Sequence, residues 1–147
     1  MEKFVEEAPM RGVFEMKVFK DEKLIDKILE ENLIVNGARQ QMARLIAGEG
    51  NGRTIAKIAF GTSGTEPTPA DTAIANQWAK TISGHSYPES GRVQFDWELL
   101  VTENNGMAIL EFGLLTADGT LFARKTRTNP IHKASDISIE GHWTIIF

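Results

Sequence analysis

The sequence predicts a mainly β protein: an antiparallel β-sandwich of seven or eight strands with one short α-helix near residues 37–47. Three observations carry this. Apolar and polar residues alternate with period two in several segments, hairpin-type turns separate those segments, and a single stretch carries a helical stripe. At 147 residues the chain suits one domain, 12–147, preceded by an arm at 1–11.

The arm, MEKFVEEAPMR, carries three Glu, one Lys, one Arg and a Pro, with only Phe4 and Val5 to pin it. It reads as flexible, and it lacks the apolar run of a secretory leader. Beyond it, Phe14, Met16 and Val18 alternate with Glu15 and Lys17, as in a half-buried strand. A polar turn at 20–23 leads into a return strand at 24–34, so 12–35 reads as a hairpin. Helix is an alternative over 22–31, because Leu24, Ile25, Ile28 and Leu29 also fit a 3.6-residue period. Asn36 is a suitable helix N-cap. After it Ala38, Met42, Leu45 and Ile46 form an apolar stripe, with Arg39, Gln40, Gln41 and Arg44 opposite. Gly48 ends that helix.

A β-rich run at 55–60 enters the stretch IAFGTSGTEPTPADTAI, residues 58–74. Within it, Thr68, Pro69 and Asp71 match a first helical turn that could extend toward Trp78. Strands follow. Residues 80–87 partner 92–99, whose Val93, Phe95, Trp97 and Leu99 face inward. Residues 107–116 and 121–126 flank an Asp-Gly turn at 117–120. The last strand, 137–147, puts Ile137, Ile139, Trp143, Ile145 and Phe147 on one face, with Gly141 in register.

The formal charge of −4 argues against nucleic-acid or anionic-membrane partners, which need a basic face. No apolar stretch approaches the roughly 20 residues that span a bilayer. The chain has no cysteine, which excludes disulfides, zinc–thiolate sites and thiol nucleophiles. The glycine-rich stretch lacks the lysine of a P-loop, and Glu66 and Pro67 stand where phosphate binding needs positive charge and amide donors. Its glycines and prolines read instead as scaffold: glycine for positive φ, proline for stiffness. Thr62, Thr65 and Pro67 of this excursion, with Phe4 and Val5 of the arm, are candidates for contact between subunits. His85, His132 and His142 sit on separate segments without metal-ligand spacing. Asp96 and Glu98 share a polar strand face. Glu111, in an otherwise apolar run, is expected to be buried and paired with Arg124 or Lys125. Trp78 and Tyr87 remain as aromatics that could face a sugar, whereas Trp97 and Trp143 belong to apolar strand faces. No cofactor and no enzymatic activity are expected.

In order, these pieces resemble a known family. Asn32-Leu-Ile-Val-Asn-Gly-Ala-Arg39 before a short helix, then Ile58-Ala-Phe-Gly-Thr62 with Thr65-Glu-Pro-Thr-Pro-Ala-Asp-Thr-Ala73, is similar to small virion proteins of tailed bacteriophages and prophages. So are Ile109-Leu-Glu-Phe-Gly-Leu-Leu-Thr-Ala-Asp-Gly119, the segment Pro130-Ile-His-Lys133 and the ending Gly141-His-Trp-Thr-Ile-Ile-Phe147. The likeness covers 12–147. It implies an oligomeric structural component of the tail, baseplate or tail-fibre region, found in the virion and, during assembly, in the host cytoplasm. Its partners would be copies of itself and other virion proteins. A head decoration or connector protein, and a carbohydrate- or receptor-binding module, are the alternatives.

Overall fold

A computed structural model describes residues 10–147. Its elements are β1 (Arg11–Lys20), β2 (Lys23–Ile34), α1 (Asn36–Ile46), β3 (Ile55–Gly61), β4 (Trp78–Thr81), β5 (Gly84–Ser86), β6 (Arg92–Leu99), β7 (Ala108–Thr116), β8 (Leu121–His132) and β9 (Ile137–Ile146). The strands form one curled antiparallel sheet in the order β4-β3-β7-β8-β2-β1-β9-β6-β5.

Two corners produce the curl, and at each an extended segment changes partner. β2 pairs along most of its length with β1, then meets β8 only through Leu33–Arg124 and Ile34–Ala123. At the other corner, β4 and β5 are the two sheet edges yet are consecutive in the chain. Between them Ile82 N donates to Ala56 O at 3.1 Å, and Ser83 N donates to Asp96 O at 2.7 Å. One segment thus leaves the side of β3 and arrives at β6. Bringing the edges together shields backbone groups that an open sheet would expose.

The concave face holds the core. Phe14 of β1 packs against Phe112 of β7 and Trp143 of β9, each with ring centroids 4.9 Å apart, and Phe60 of β3 meets Trp97 of β6 at 5.6 Å. These residues are essentially inaccessible to solvent. Offset and edge-on contacts of this kind suit the aromatic quadrupole. Trp143 also donates its indole N–H to Asn32 Oδ1 at 2.8 Å, which ties β9 to the end of β2.

Several expectations change here. The sheet is single and nine-stranded, because 78–86 divides into two strands serving opposite edges. The hairpin reading of 12–35 holds, and the helical alternative over 22–31 does not: Asp21 and Glu22, both with positive φ, form a two-residue turn, and β2 from Lys23 pairs with β1 in continuous register apart from one bulge. The first strand starts at Arg11, so that residue leaves the arm. Val35, not Asn36, is the N-cap of α1, and it makes no side-chain cap bond. The buried helix face holds Ala38 and Gln41, while Ile46 is 84% exposed. Phe147 lies beyond β9 and is exposed rather than packed in the core. Thr68 to Asp71 form a turn and no helix.

Candidate functional site

The loop from β3 to β4 contains the Gly/Pro/Thr stretch, and a buried charge cluster holds it down. Glu111 of β7 and Arg124 of β8 are 1% and 4% exposed. Arg124 Nε donates to Glu111 Oε2 at 2.8 Å. The other carboxylate oxygen, Oε1, accepts the backbone amides of Ser63 at 3.1 Å and Ala75 at 2.7 Å. The guanidinium also donates to Thr65 O at 3.0 Å, Asp71 Oδ2 at 2.9 Å and Ser63 O at 3.3 Å. Glutamate and arginine each therefore reach both their partner and the loop. A buried ion pair is tolerable when its remaining donors and acceptors are satisfied in this way.

Asp71 closes the cluster. Its carboxylate accepts from the amide and the hydroxyl of Thr68, both at 2.9 Å. Burial pushes its pKa up, but these bonds and the Arg124 guanidinium outweigh that and hold it below the ordinary aspartate value. The loop is further tied by Thr62 N to Ala75 O at 3.1 Å and Asn36 N to Pro69 O at 2.8 Å. Glu111 thus holds the loop through the amides of Ser63 and Ala75, and Arg124 holds it through Ser63 O, Thr65 O and Asp71.

Gly61 and Gly64 do not have positive φ, contrary to the expectation for this stretch. Gly61 is required for space. A Cβ there would lie 2.5 Å from Glu111 Oε1 and 2.4 Å from Ile74 Cγ2. A Cβ at Gly64 would meet nothing closer than Arg127 O at 3.6 Å.

The remaining candidates are dispersed. Thr65 is exposed, Thr62 and Pro67 are half-buried, and Phe4 and Val5 fall outside the described residues. Trp78 is half-buried on β4, 6.1 Å from Phe60. Tyr87 is 72% exposed and stacks edge-on against His85 at 5.7 Å. It stands at an open cleft of about 410 Å³, whose walls include Met42, Leu45, Arg53, Phe95 and Phe147; Trp78 does not line it. The structure therefore does not join the two aromatics into one platform. His142 Nδ1 lies 2.6 Å from Asp96 Oδ1 on the outer sheet face. Among the described residues no group of three or more acidic or histidine side chains could hold a metal ion, and no helix is long and apolar enough to cross a membrane.

Three buried polar residues, Gln41, Thr116 and Lys133, escaped sequence reasoning. Gln41 Nε2 donates to Thr116 Oγ1 at 3.0 Å and to the Asp118 carboxylate at 2.9 Å, while its Oε1 accepts from Arg53 at 2.7 Å. This fastens α1 to the β7–β8 turn. Its signal was present: Ala38, Gln41, Met42 and Leu45 also follow helical spacing, with a polar member. Lys133, 2% exposed, donates to Asn105 Oδ1 at 2.8 Å and Ala134 O at 3.2 Å. No family model, curated protein or solved structure matches the chain.

Proposed function

We propose that the protein is a non-enzymatic structural subunit of a tailed-phage particle, in the tail, baseplate or tail-fibre attachment region. It works by self-association and by docking to other virion proteins. The observation that carries this reading is the internal use of the glycine-rich loop: Glu111, Arg124 and Asp71 spend their hydrogen bonds on its backbone and on one another. Apolar surface is available for outside contact, with Leu24, Ile25, Leu29, Leu100, Val101, Tyr87 and Phe147 all exposed. Thr62, Thr65 and Pro67 then act as a stiff rim offered to a neighbour, at little ordering cost. The same reading treats the curled sheet as a β-sandwich whose two halves join at corner strands. The motifs similar to small virion proteins point the same way, and the reading puts the chain in the virion and, during assembly, in the host cytoplasm.

The test is mass spectrometry of gradient-purified particles from a host carrying the coding sequence. The reading expects this chain at a fixed copy number per particle, retained after salt washing. Its absence from particles would overturn the reading.

A second reading, glycan or receptor binding, rests on Tyr87 at the mouth of its cleft. It requires Tyr87→Ala to reduce adsorption to cells while particles still assemble.

A further inference from the structure

Three asparagines in the chain precede glycine: Asn36–Gly37, Asn51–Gly52 and Asn105–Gly106. Such a step is chemically fragile. Glycine has no Cβ to obstruct rotation, so its amide nitrogen can reach the side-chain carbonyl carbon of the asparagine. In that reaction the glycine nitrogen gives up its proton and bonds to Cγ. The Cγ–Nδ2 bond breaks, ammonia leaves with the proton, and water opens the resulting cyclic imide to aspartate or isoaspartate. Attack requires the two atoms to be held in a productive geometry, and the fold treats the three steps differently.

Asn105 is pinned at three points. Its Oδ1 accepts from Lys133 Nζ at 2.8 Å, its Nδ2 donates to Val101 O at 3.0 Å, and the Gly106 amide donates to Lys133 O at 2.8 Å. In return Lys133 N donates to Met107 O at 3.0 Å. The ammonium on Oδ1 polarises the carbonyl, which alone would help an attack. Geometry outweighs this, because the Gly106 N–H points at Lys133 O and its nitrogen cannot turn toward Cγ while that bond stands. Burial pushes the Lys133 amine down, offset in part by Glu103 and Asp136. A cation inside the fold is costly unless its donors are satisfied. Asn105 Oδ1, Ala134 O and Val101 O satisfy this one.

Asn36 is held by other means. Gly37 lies in the first turn of α1, and a Cβ there would come 2.6 Å from Leu121 O. The helix and the start of β8 leave that backbone little room to rotate. Asn51 has neither protection. It is exposed in the turn between α1 and β3. Among the described residues, its side chain and the Gly52 amide have no hydrogen-bond partner.

We propose that Asn51 is the chain's site of spontaneous deamidation, and that Lys133 guards the equivalent Asn105–Gly106 step. Conversion at 51 bears on the fold around it. Gly52 O accepts the Asp118 amide at 2.7 Å, and Arg53 donates to Gln41 Oε1 at 2.7 Å. A new carboxylate, or the lengthened backbone of isoaspartate, therefore falls where α1 is fastened to the β7–β8 turn. The inference goes beyond the proposed function and does not rest on it.

The experiment is incubation of the full chain at mildly alkaline pH, folded and in urea, followed by peptide mapping with mass spectrometry. In urea Asn51 and Asn105 should convert at similar rates, since both precede glycine. In the folded wild type Asn51 should convert, and Asn105 should lag behind it by at least about tenfold. Lys133→Met and Lys133→Gln, each shown to be folded by its melting curve, should convert faster at Asn105 and unchanged at Asn51. Equal rates at the two sites in the folded wild type, no conversion at Asn51, or folded variants in which Asn105 stays as slow as in the wild type would each overturn the proposal. Amide hydrogen exchange at Gly106 tests the guard without any variant: exchange at the rate of an open loop would likewise overturn it. None of those results bears on whether the chain is found in particles.

Discussion

Gly61 and Glu111 face each other across β3 and β7, and the carboxylate occupies the space that a side chain at 61 would fill. The glycine therefore admits a buried acid, and the acid in turn fixes the loop that follows.

Gly61→Ala should destabilise the fold by about 1–3 kcal/mol, the usual range for overpacking. Gly64→Ala should be near neutral, since its surroundings allow ordinary contact and its φ is not positive. Urea unfolding of both variants checks this. Equal losses would mean that the segment's glycines serve the backbone and not the carboxylate.

Removing one member of the ion pair strands the other. Glu111→Leu or Arg124→Leu alone should cost about 3–5 kcal/mol. The double variant should lose clearly less than the sum, because no unpaired charge stays buried. A double-mutant cycle reads this coupling directly, and additive losses would show that the pair does not act as a unit.

Gly141 lies opposite Trp97 in the β6–β9 register. A Cβ at 141 would come 2.2 Å from the indole ring, which is nearly inaccessible to solvent. Gly141→Ala should displace that ring, lower the melting temperature and shift tryptophan emission to the red. Emission identical to the wild type, with unchanged melting, would contradict the packing described for the core.

Acid sensitivity has a definite sign. The Asp118 carboxylate accepts from Thr116, Gln41 and Thr120, and these bonds hold its pKa well below the ordinary aspartate value against a smaller effect of burial. Asp71 is also lowered. Both groups bind protons less readily folded than unfolded. Their contribution is complete above the unfolded value near 4 and is lost as pH falls through the lower folded values. Melting temperature should therefore drop below about pH 4, and Asp118→Asn should flatten part of that drop while lowering stability at neutral pH. A parallel profile for the variant would remove Asp118 from the account.

Much of the strand content was legible because period-two alternation survives wherever one face is buried, as in Phe14, Met16 and Val18, or Trp97 and Leu99. Glu111 announced a partner because a charge inside an apolar run cannot remain alone. The curl was not legible. It depends on where β2 and the 78–86 segment change neighbours, and alternation continues through such corners. Gln41 reads as part of the exposed face of α1, because a polar side chain looks solvated until its partners, Thr116, Asp118 and Arg53, are known. The role of Gly61 was hidden as well, since sequence does not distinguish a glycine needed for conformation from one needed for room.

The most direct test of the loop as fixed scaffold is amide hydrogen exchange at Ser63 and Ala75, the two backbone donors to Glu111. Their protection should match that of β7 and collapse in Glu111→Leu. Exchange at the rate of an open loop in the wild-type protein would contradict the account.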